Sequence, residues 1–223
     1  MTRPSAEIFD EEYYARAYGG SRGSYNERTT PNKWRSMCGF IGEVHPQPRS
    51  AIDVGCADGA FLKHARESFP ATAWRGCEIS RYALRQAEAA LPGVELREGS
   101  ATSLPWQDGA SDLIVAFDVL EHVPDLTAAA SELARVLAPG GTLVMSVPVY
   151  DGPTGWLVRL LDKDPTHVHK VARQFWLESP LTAHFDLIRW EGLWRYYLGR
   201  YWHLRSGTLR SASPAIVMAW RRR

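Results

Sequence analysis

An α/β fold with a doubly wound, mostly parallel sheet of seven strands is predicted for this chain of 223 residues. Short apolar segments of strand length alternate with segments of helical periodicity between residues 50 and 148. Glycine or proline follows most of these segments, which is typical of turns between elements. The segment Asp112–Phe117 is almost continuously apolar, as expected for a strand in a parallel sheet that helices cover on both faces.

The predicted elements follow one another in a regular order. Strands are predicted at residues 51–54, Trp74–Ile79, Val94–Arg97, Asp112–Phe117 and Thr142–Val147. Helices are predicted at Gly59–Phe69, Arg81–Ala90 and Thr127–Leu137. Ser80 is suited to cap the start of the second helix, and Pro92 and Gly93 are suited to end it. In such a fold, ligands bind beyond the carboxyl ends of the strands.

Past Pro148 the alternation fades, and six of the nine tryptophans lie beyond residue 150. We predict a helix at Phe175–Ala183, a sixth strand at Phe185–Trp190 and a seventh at Ala215–Trp220, with an antiparallel arrangement at this edge. Residues 151–172 and 198–212 are then long excursions outside the sheet, and long ordered loops often carry function. Each aromatic residue taken singly is also compatible with an ordinary core position.

Residues 1–48 are predicted to form a helical arm, which a proline-rich stretch at His45–Pro48 separates from the sheet domain of residues 49–223. Phe9, Tyr13 and Tyr14 lie in a charged helical pattern that a glycine-rich stretch at 19–25 follows. Such a hinge beside aromatic side chains is suited to a lid over a bound ligand. Packing of the arm against the sheet domain without any gating explains the same pattern.

The composition excludes several classes of function. With 26 basic and 25 acidic residues the net charge is +1, so no strong field favours nucleic acid or an anionic membrane. No run approaches the roughly 20 apolar residues of a membrane span, and no apolar signal core is present at the start. The three cysteines lack CxxC spacing, which favours reduced thiols. We therefore expect a soluble, cytoplasmic protein without a metal site.

The segment from Ala51 to Leu62 is the most informative part of the sequence. An apolar strand runs into Asp53, then into a turn of small residues at Gly55, Ala57 and Gly59, and then into a helix. Small side chains allow backbone N–H groups to approach a ligand, and the positive end of the helix points to the same place. A tight turn needs glycine in any α/β protein, so this loop alone is only a candidate binding loop.

Glu78 ends the second predicted strand, roughly 20 residues after the glycine turn, where a carboxylate can accept hydrogen bonds from both hydroxyls of a ribose. Asp53 and Glu78 are also compatible with simple capping of the adjoining turns. The GxGxxG fingerprint, a Tyr-x-x-x-Lys pair and a GxxxxGK[ST] loop are all absent from the sequence. Nicotinamide chemistry and simple phosphate transfer are therefore disfavoured.

Five segments in order resemble the class I S-adenosylmethionine-dependent methyltransferases, and most closely the family called type 11, over about residues 50–148. They are Asp53-x-Gly55-x-Ala57-x-Gly59, Glu78, Leu104-Pro105-Trp106, the run from Phe117 to Val123, and the run from Leu137 to Gly141. The resemblance implies a Rossmann-like methyltransferase fold with S-adenosylmethionine as cofactor. Five segments in the right order are more specific than one glycine turn.

The resemblance also implies which residues hold the cofactor. Asp53, Gly55 and Ala57 are expected at its amino-acid moiety, Glu78 at the ribose and Ile79 on the adenine face. Phe117 and Asp118 are expected beside the methionine. The full predicted set is Tyr25, Asp53, Gly55, Cys56, Ala57, Gly59, Glu78, Ile79, Ser100, Ala101, Phe117, Asp118 and His122.

Three positions carry open questions. Ala57 replaces the middle glycine of the motif, which is tolerable if its φ is negative. Gly99, Ser100 and Ala101 stand where the family usually has an aspartate for the adenine amino group, and the serine hydroxyl is able to accept that bond. The pair Glu121-His122 is expected either near the cofactor or at an exposed start of the connecting helix.

Methyl transfer from a sulfonium is an in-line displacement, and a hydroxyl acceptor must also lose its proton. Histidine is the natural base near neutral pH. Some similar small-molecule O-methyltransferases have Thr-His after the fifth strand, so His167 is the predicted base or acceptor-positioning group. His169 is second, and Asp164 is a possible orienting partner. The alternation of side chains along an extended segment would place both imidazoles on one side. No third metal ligand is evident, so we predict no metal at this pair. A structural, hydrogen-bonding role for these histidines is an alternative.

The function predicted from the sequence is S-adenosylmethionine-dependent methylation of a small molecule at oxygen, in secondary or specialised metabolism. Residues 151–212 are expected to cap an apolar acceptor site. Neither nucleic acid nor membrane is expected as a partner. The alternatives are a methyltransferase of protein or RNA, which the near-neutral charge disfavours, and a cofactor-binding module without catalysis.

Overall fold

The computed structural model describes residues 8–18, 31–197 and 201–223. Its strands are β1 Ser50–Val54, β2 Ala73–Glu78, β3 Glu95–Glu98, β4 Ser111–Phe117, β5 Leu137–Pro148, β6 Phe185–Tyr197, β7 Tyr201–Ser206 and β8 Ala215–Arg222. Its α-helices are α1 Glu11–Tyr18, α2 Pro31–Val44, α3 Ala60–Ser68, α4 Arg81–Ala90, α5 Leu126–Val136, α6 Gly155–Leu161 and α7 Arg173–Leu177.

One sheet of eight strands runs in the order β3-β2-β1-β4-β5-β8-β6-β7. The first five of these strands pair in parallel, and the remaining pairs are antiparallel. The predicted fold class, with an antiparallel edge, is therefore confirmed. The sheet has eight strands rather than the seven predicted, because β6 continues past Trp190 and pairs with β7, which lies within the predicted excursion at 198–212.

Helices cover both faces of the sheet. Ile52 and Ile114 belong to a buried cluster that includes Leu133 of α5, whereas Leu113 and Val115 belong to a second cluster that includes Phe40 of α2. Successive side chains of a strand point to opposite faces, so α5 and α2 lie on opposite sides of the sheet. The nearly unbroken apolar pattern of β4 follows from this two-sided burial.

The region after β5 differs from its prediction in extent. The helix predicted at Phe175–Ala183 is shorter, since α7 ends at Leu177 and a separate 3-10 turn follows at Pro180–Ala183. Ser179 is extended, with φ −63° and ψ 170°, because a residue before proline disfavours the helical region. Residues 151–172 are not wholly irregular, since they contain α6.

Some C-terminal aromatics are core residues, and others are not. Trp176 and Trp220 are fully buried, whereas Trp156 on α6 is 67% exposed. The three cysteines are free and buried. Among the described residues, no helix combines the length and apolar character needed to cross a membrane.

Candidate cofactor and acceptor site

The loop after β1 has the tight geometry that its small residues suggest. The N–H groups of Gly55 and Cys56 both donate to the carbonyl of Cys77, at 2.8 and 3.0 Å. Gly55 has φ +74°, and a Cβ there would lie 2.6 Å from Cγ2 of Val119. A side chain at Gly55 is therefore excluded by both backbone angle and space.

Ala57 does not meet the condition of a negative φ under which it would replace the glycine without strain, since its φ is +47°. Its N–H donates to Oε2 of Glu78 at 2.9 Å, and this bond offsets part of the cost of a left-handed alanine. Gly59, with φ +81°, is required for a different reason, because a Cβ there would lie 2.5 Å from Cδ1 of Leu91. Gly59 therefore serves helix packing and does not line the cavity described below.

Glu78 caps the adjoining turns and stands on the cavity, where the ribose contact remains a prediction. Its carboxylate oxygens accept from the N–H groups of Ala57 and Ser80, each at 2.9 Å, so it does cap the adjoining turns. It also lines the cavity, and each oxygen keeps further acceptor capacity. Burial raises the pKa of Glu78, and burial together with the neighbouring Glu78 raises the pKa of Asp53 well above its usual range.

Asp118 follows β4 and has φ +56°. Its Oδ1 accepts from the Ser146 hydroxyl at 2.7 Å, and its Oδ2 pairs with the ammonium of Lys33 on α2. Enclosure in the cavity acts to raise the pKa of Asp118, but the charge and hydrogen bond of Lys33 together with the hydrogen bond from Ser146 outweigh this and hold the pKa below its ordinary value. The side chain of Asp118 remains 45% exposed, and it lines the cavity.

A cavity of about 1300 Å³ lies at the carboxyl ends of β1, β2 and β4. Of the predicted cofactor residues it is lined by Asp53, Gly55, Cys56, Ala57, Glu78, Ile79, Ser100, Ala101, Phe117, Asp118 and His122. Tyr25 lies outside the described residues, and Gly59 packs behind the loop. The Ser100 hydroxyl is already bonded to that of Thr102, at 3.1 Å. Eleven of the thirteen predicted cofactor residues thus line one cavity.

His167 lies on the same cavity, and its orienting residues differ from the predicted one. Nδ1 of His167 is 3.0 Å from Oδ2 of Asp162 and 3.1 Å from the Tyr150 hydroxyl, which itself donates to Asp162 at 2.5 Å. Asp162 was missed by the sequence analysis, although it stands five residues before His167. Burial acts to raise its pKa, but hydrogen bonds from Lys170, Tyr150 and His167 outweigh that and lower it.

Asp164, the predicted orienting partner, is engaged elsewhere. It accepts from the Tyr13 hydroxyl at 3.0 Å and from the backbone N–H of Thr166 at 2.8 Å. The Thr166 hydroxyl also donates to it, at 2.5 Å, and lies 2.8 Å from Nδ1 of His122. Asp164 therefore acts on His122 through Thr166 and has no recorded hydrogen bond with His167.

His169 does not share the surroundings of His167, so the expectation that both imidazoles lie on one side is wrong. Its Nε2 is 2.8 Å from the carbonyl of Val123, its ring stacks on Phe175, and it does not line the cavity. The backbone N–H groups of Val168 and His169 both donate to the carbonyl of Glu121, which turns the chain away from a regular extended path. A structural role fits this histidine.

Glu121 and His122 are not an exposed helix start. Glu121 is 0% exposed, and burial raises its pKa well above the usual range. The ring of His122 lies 4.6 Å from that of His167, centroid to centroid. Burial, and then the neighbouring His167, lower the pKa of His122 to about 4.

The described part of the N-terminal arm lies across this site. Tyr13 is 5% exposed and holds Asp164 through its hydroxyl, and the Phe9 ring meets the edge of His122 at 6.0 Å. The carbonyl of Phe9 accepts from the hydroxyl of Ser80. Phe9, Tyr13 and Tyr14 all line the cavity. The arm therefore connects the wall formed by the cofactor loop with the His167 side.

A doubly wound sheet with a glycine turn after its first strand and a carboxylate after its second defines a nucleoside-binding class of proteins. Residues 52–145 match a family model described as "Methyltransferase domain". This match agrees with the resemblance to the class I S-adenosylmethionine-dependent methyltransferases that the sequence motifs carry, a family whose cofactor is S-adenosylmethionine.

Curated relatives match over about half of this chain. An "Uncharacterized methyltransferase" of Mycobacterium sp. (strain JLS) is 36% identical over 114 residues, which are 51% of this chain and 44% of the relative. The "Ajmaline N-methyltransferase" of Rauvolfia serpentina is 30% identical over 112 residues, 48% of this chain and 38% of the relative. The chain thus spans less than half the length of these relatives.

Solved structures show the same fold at low identity. A possible histamine N-methyltransferase from Thermotoga maritima superposes with a TM-score of 0.66 at 16% identity, covering 85% of this chain and 89% of that one. The [4+2]-cyclase SpnF superposes with a TM-score of 0.68 at 18% identity, covering 100% of this chain and 98% of that one. At such identities the likeness concerns the fold alone.

The residues present fit S-adenosylmethionine. Gly55 lines the cavity and carries no side chain, so a ligand is able to approach its backbone. Glu78 offers the ribose two carboxylate oxygens. Asp53, Glu78 and Asp118 are acidic residues on this cavity, which suits a ligand that carries a cationic sulfonium and an ammonium group.

Proposed function

We propose that this chain transfers a methyl group from S-adenosylmethionine to an oxygen atom of a small molecule. The observation that carries the proposal is one cavity lined both by the cofactor loop and by His167, whose ring is fixed by Asp162 and Tyr150. An enzyme of this kind has to hold the acceptor oxygen in line with the sulfonium methyl group and to exclude water.

Each wall of the cavity has a distinct task in this proposal. Glu78 binds the ribose hydroxyls, Ile79 packs on the adenine, and Asp53 with the Gly55 turn holds the amino-acid end. The sulfonium supplies an activated methyl group when the cofactor is bound. His167 either positions the acceptor oxygen or takes its proton, and Asp162 fixes the orientation of the ring.

Apolar side chains line part of the acceptor side, which supports a small molecule as acceptor. Leu157, Val158 and Leu161 of α6 line the cavity together with Trp194 of β6. In this proposal residues 151–212 form the acceptor-site cap of a methyltransferase domain at 49–223, and the N-terminal arm at residues 1–48 serves as a lid, with packing of the arm without gating as the alternative. Free buried thiols and a net charge of +1 support a cytoplasmic protein that acts on a small molecule rather than on nucleic acid.

A methyl-labelled cofactor tests the acceptor class. Protein incubated with it and with a small-molecule extract, total RNA or total protein should label only the small-molecule fraction. Labelling of RNA or protein instead would favour the macromolecular alternative. Cofactor binding without labelling of any fraction would favour the non-catalytic module.

The role of His167 is tested by H167Q and D162N. Both variants should lower turnover about tenfold or more, the range expected for a misplaced general base, while cofactor affinity stays within about twofold. D186N is the matched control, because Asp186 pairs with Arg223 at the surface. Normal turnover in H167Q would refute the assignment.

A further inference from the structure

Glu121 is a fully buried acid whose carboxylate has no hydrogen-bond partner in the described part of the chain. Its side chain is 0% exposed, and neither carboxylate oxygen bonds to any of the residues that the structure describes. Burying a carboxylate costs free energy unless it is paired, hydrogen-bonded, protonated or bound to a metal. The Glu121 carboxylate therefore lacks a partner that would stabilise its ionised form.

Two histidines stand beside this acid. One oxygen of Glu121 and one ring nitrogen each from His122 and His167 all lie within 4.8 Å of one another. His122 and His167 line the cavity, whereas Glu121 lies behind it. Two imidazoles and one carboxylate are a recurrent ligand set for zinc and for other first-row divalent metals.

The hydrogen-bond partners of His122 and His167 both lie at Nδ1, which leaves Nε2 of each ring available to bind a metal. Nδ1 of His167 faces the Asp162 carboxylate, which only accepts, so we assign the proton to Nδ1. Nδ1 of His122 faces the Thr166 hydroxyl, which gives its own proton to Asp164, so the same assignment holds. Metal-ligating histidines usually have such outer oxygen partners, which fix the tautomer and orient the ring.

The local charge also favours a cation. Asp118 and Asp164 both interact electrostatically with Glu121, and Lys33 is the nearby positive group of α2. Asp118 shares its ion pair with Lys33, while Asp164 is bonded to Tyr13 and Thr166. A divalent ion would give the Glu121 carboxylate a partner and would neutralise part of the negative charge of these acids.

We propose that Glu121, His122 and His167 bind one divalent first-row metal ion at the acceptor side of the cavity. Three protein ligands leave coordination positions open, as in catalytic metal sites. A bound ion supplies Lewis acidity to an acceptor oxygen. His167 is then an acceptor-positioning group that acts through the ion. This use of the ion rests on the proposed function, whereas the binding site itself does not.

Cobalt(II) is the probe, since its visible absorption reports nitrogen and oxygen ligands. Tag-free full-length protein, freed of metal with a chelator, should bind one Co²⁺ per chain with saturation. E121Q and H122N should each weaken binding at least about tenfold. E178Q and H184N, changed at solvent-accessible sites of the same residue types, should bind as the wild type does.

The melting temperature separates a metal ligand from a merely structural acid. E121Q removes a buried, unpaired carboxylate, so the metal-free variant should melt at a higher temperature than the wild type. The same variant should lose the rise in melting temperature that Co²⁺ gives the wild type. Absence of saturable binding, or binding that E121Q and H122N leave unchanged, would overturn the proposal.

Calorimetry with S-adenosylmethionine on the same metal-free samples distinguishes the two proposals. Cofactor binding should persist without metal and in E121Q. Intact cofactor binding with no Co²⁺ binding refutes this inference alone. Loss of cofactor binding in the wild type refutes the proposed function, whatever the metal does.

Discussion

At the residue scale, backbone strain is concentrated at the cavity. Ala57 and Asp118 are the non-glycine residues with positive φ in the described part of the chain, and both line the cavity. A left-handed residue other than glycine costs about 1–2 kcal/mol. Such strain persists where the surroundings fix the backbone, here through Glu78 for Ala57 and through Ser146 and Lys33 for Asp118.

Ala57→Gly tests whether strain is stored in the loop. Glycine adopts φ +47° at little cost but is more flexible in the unfolded chain, so the two effects partly cancel. We expect the free energy of unfolding to stay equal or to rise by up to about 1 kcal/mol. The control Ala89→Gly in α4 should lose about 0.5–1 kcal/mol in the same denaturant titration. An equal loss of unfolding free energy in both variants would show that no strain is stored at Ala57.

At the element scale, α1 and the turn before it join the two sides of the cavity. Phe9 is bonded to Ser80, next to the cofactor wall, and Tyr13 is bonded to Asp164 on the acceptor side. Burial, and then the charge of Asp164, raise the pKa of Tyr13, so its hydroxyl stays protonated as a donor at neutral pH. This arrangement makes α1 the part of the arm that should respond to cofactor.

Hydrogen exchange tests the lid. Amides of residues 11–18 should exchange more slowly once S-adenosylmethionine is bound, because the cofactor adds contacts under the arm. Tyr13→Phe removes the bond to Asp164 and should reduce this protection. The control Tyr82→Phe, on α4, should keep it. Unchanged exchange in the wild type would show that the arm packs without gating.

The sequence predicted the elements whose determinants are local. The strand, small-residue turn and helix from Ala51 to Leu62 predict the candidate cofactor loop from only twelve residues. The apolar run of β4 likewise predicts that this strand is buried on both faces. β7 was missed because its pairing partner, the extension of β6, carries no clear alternation. The positive φ of Ala57 was missed because a distant acid, Glu78, holds its N–H.

The acceptor side was predicted less completely, since it depends on contacts distant in sequence. His167 was found through its resemblance to Thr-His segments, but its partner Tyr150 stands 17 residues away. His122 and Thr166 are 44 residues apart, and Tyr13 and Asp164 are 151 apart. No local pattern reports such pairs, and only the folded sheet brings Glu121, His122 and His167 together.

At the scale of the whole molecule, buried acids govern stability against pH. Burial raises the pKa of both Asp53 and Glu78 above their unfolded values. The folded state then binds protons more tightly, so the stabilising contribution is complete below the unfolded pKa of about 4 and is lost as pH rises through the folded pKa. Once ionised, these two buried acids cost the folded state free energy, which a bound cationic cofactor would offset.

Asp53→Asn should therefore raise the melting temperature of the cofactor-free protein at pH 7 and flatten its fall as the pH rises above about 4. The gain in free energy is about 1.4 kcal/mol for each unit by which the pKa of Asp53 is raised. Asp108→Asn, at a surface ion pair with Arg135, is the control and should not flatten the profile. A steeper fall in Asp53→Asn would contradict the assignment.

Isothermal titration calorimetry with S-adenosylmethionine and S-adenosylhomocysteine measures the central claim most directly. The wild type should bind one molecule per chain, and E78Q should bind about tenfold or more weakly, because a charge-assisted hydrogen bond to the ribose is lost. E98Q, at the paired position on β3, should bind as the wild type does. No heat with either compound, or equal affinity in E78Q and wild type, would contradict the account.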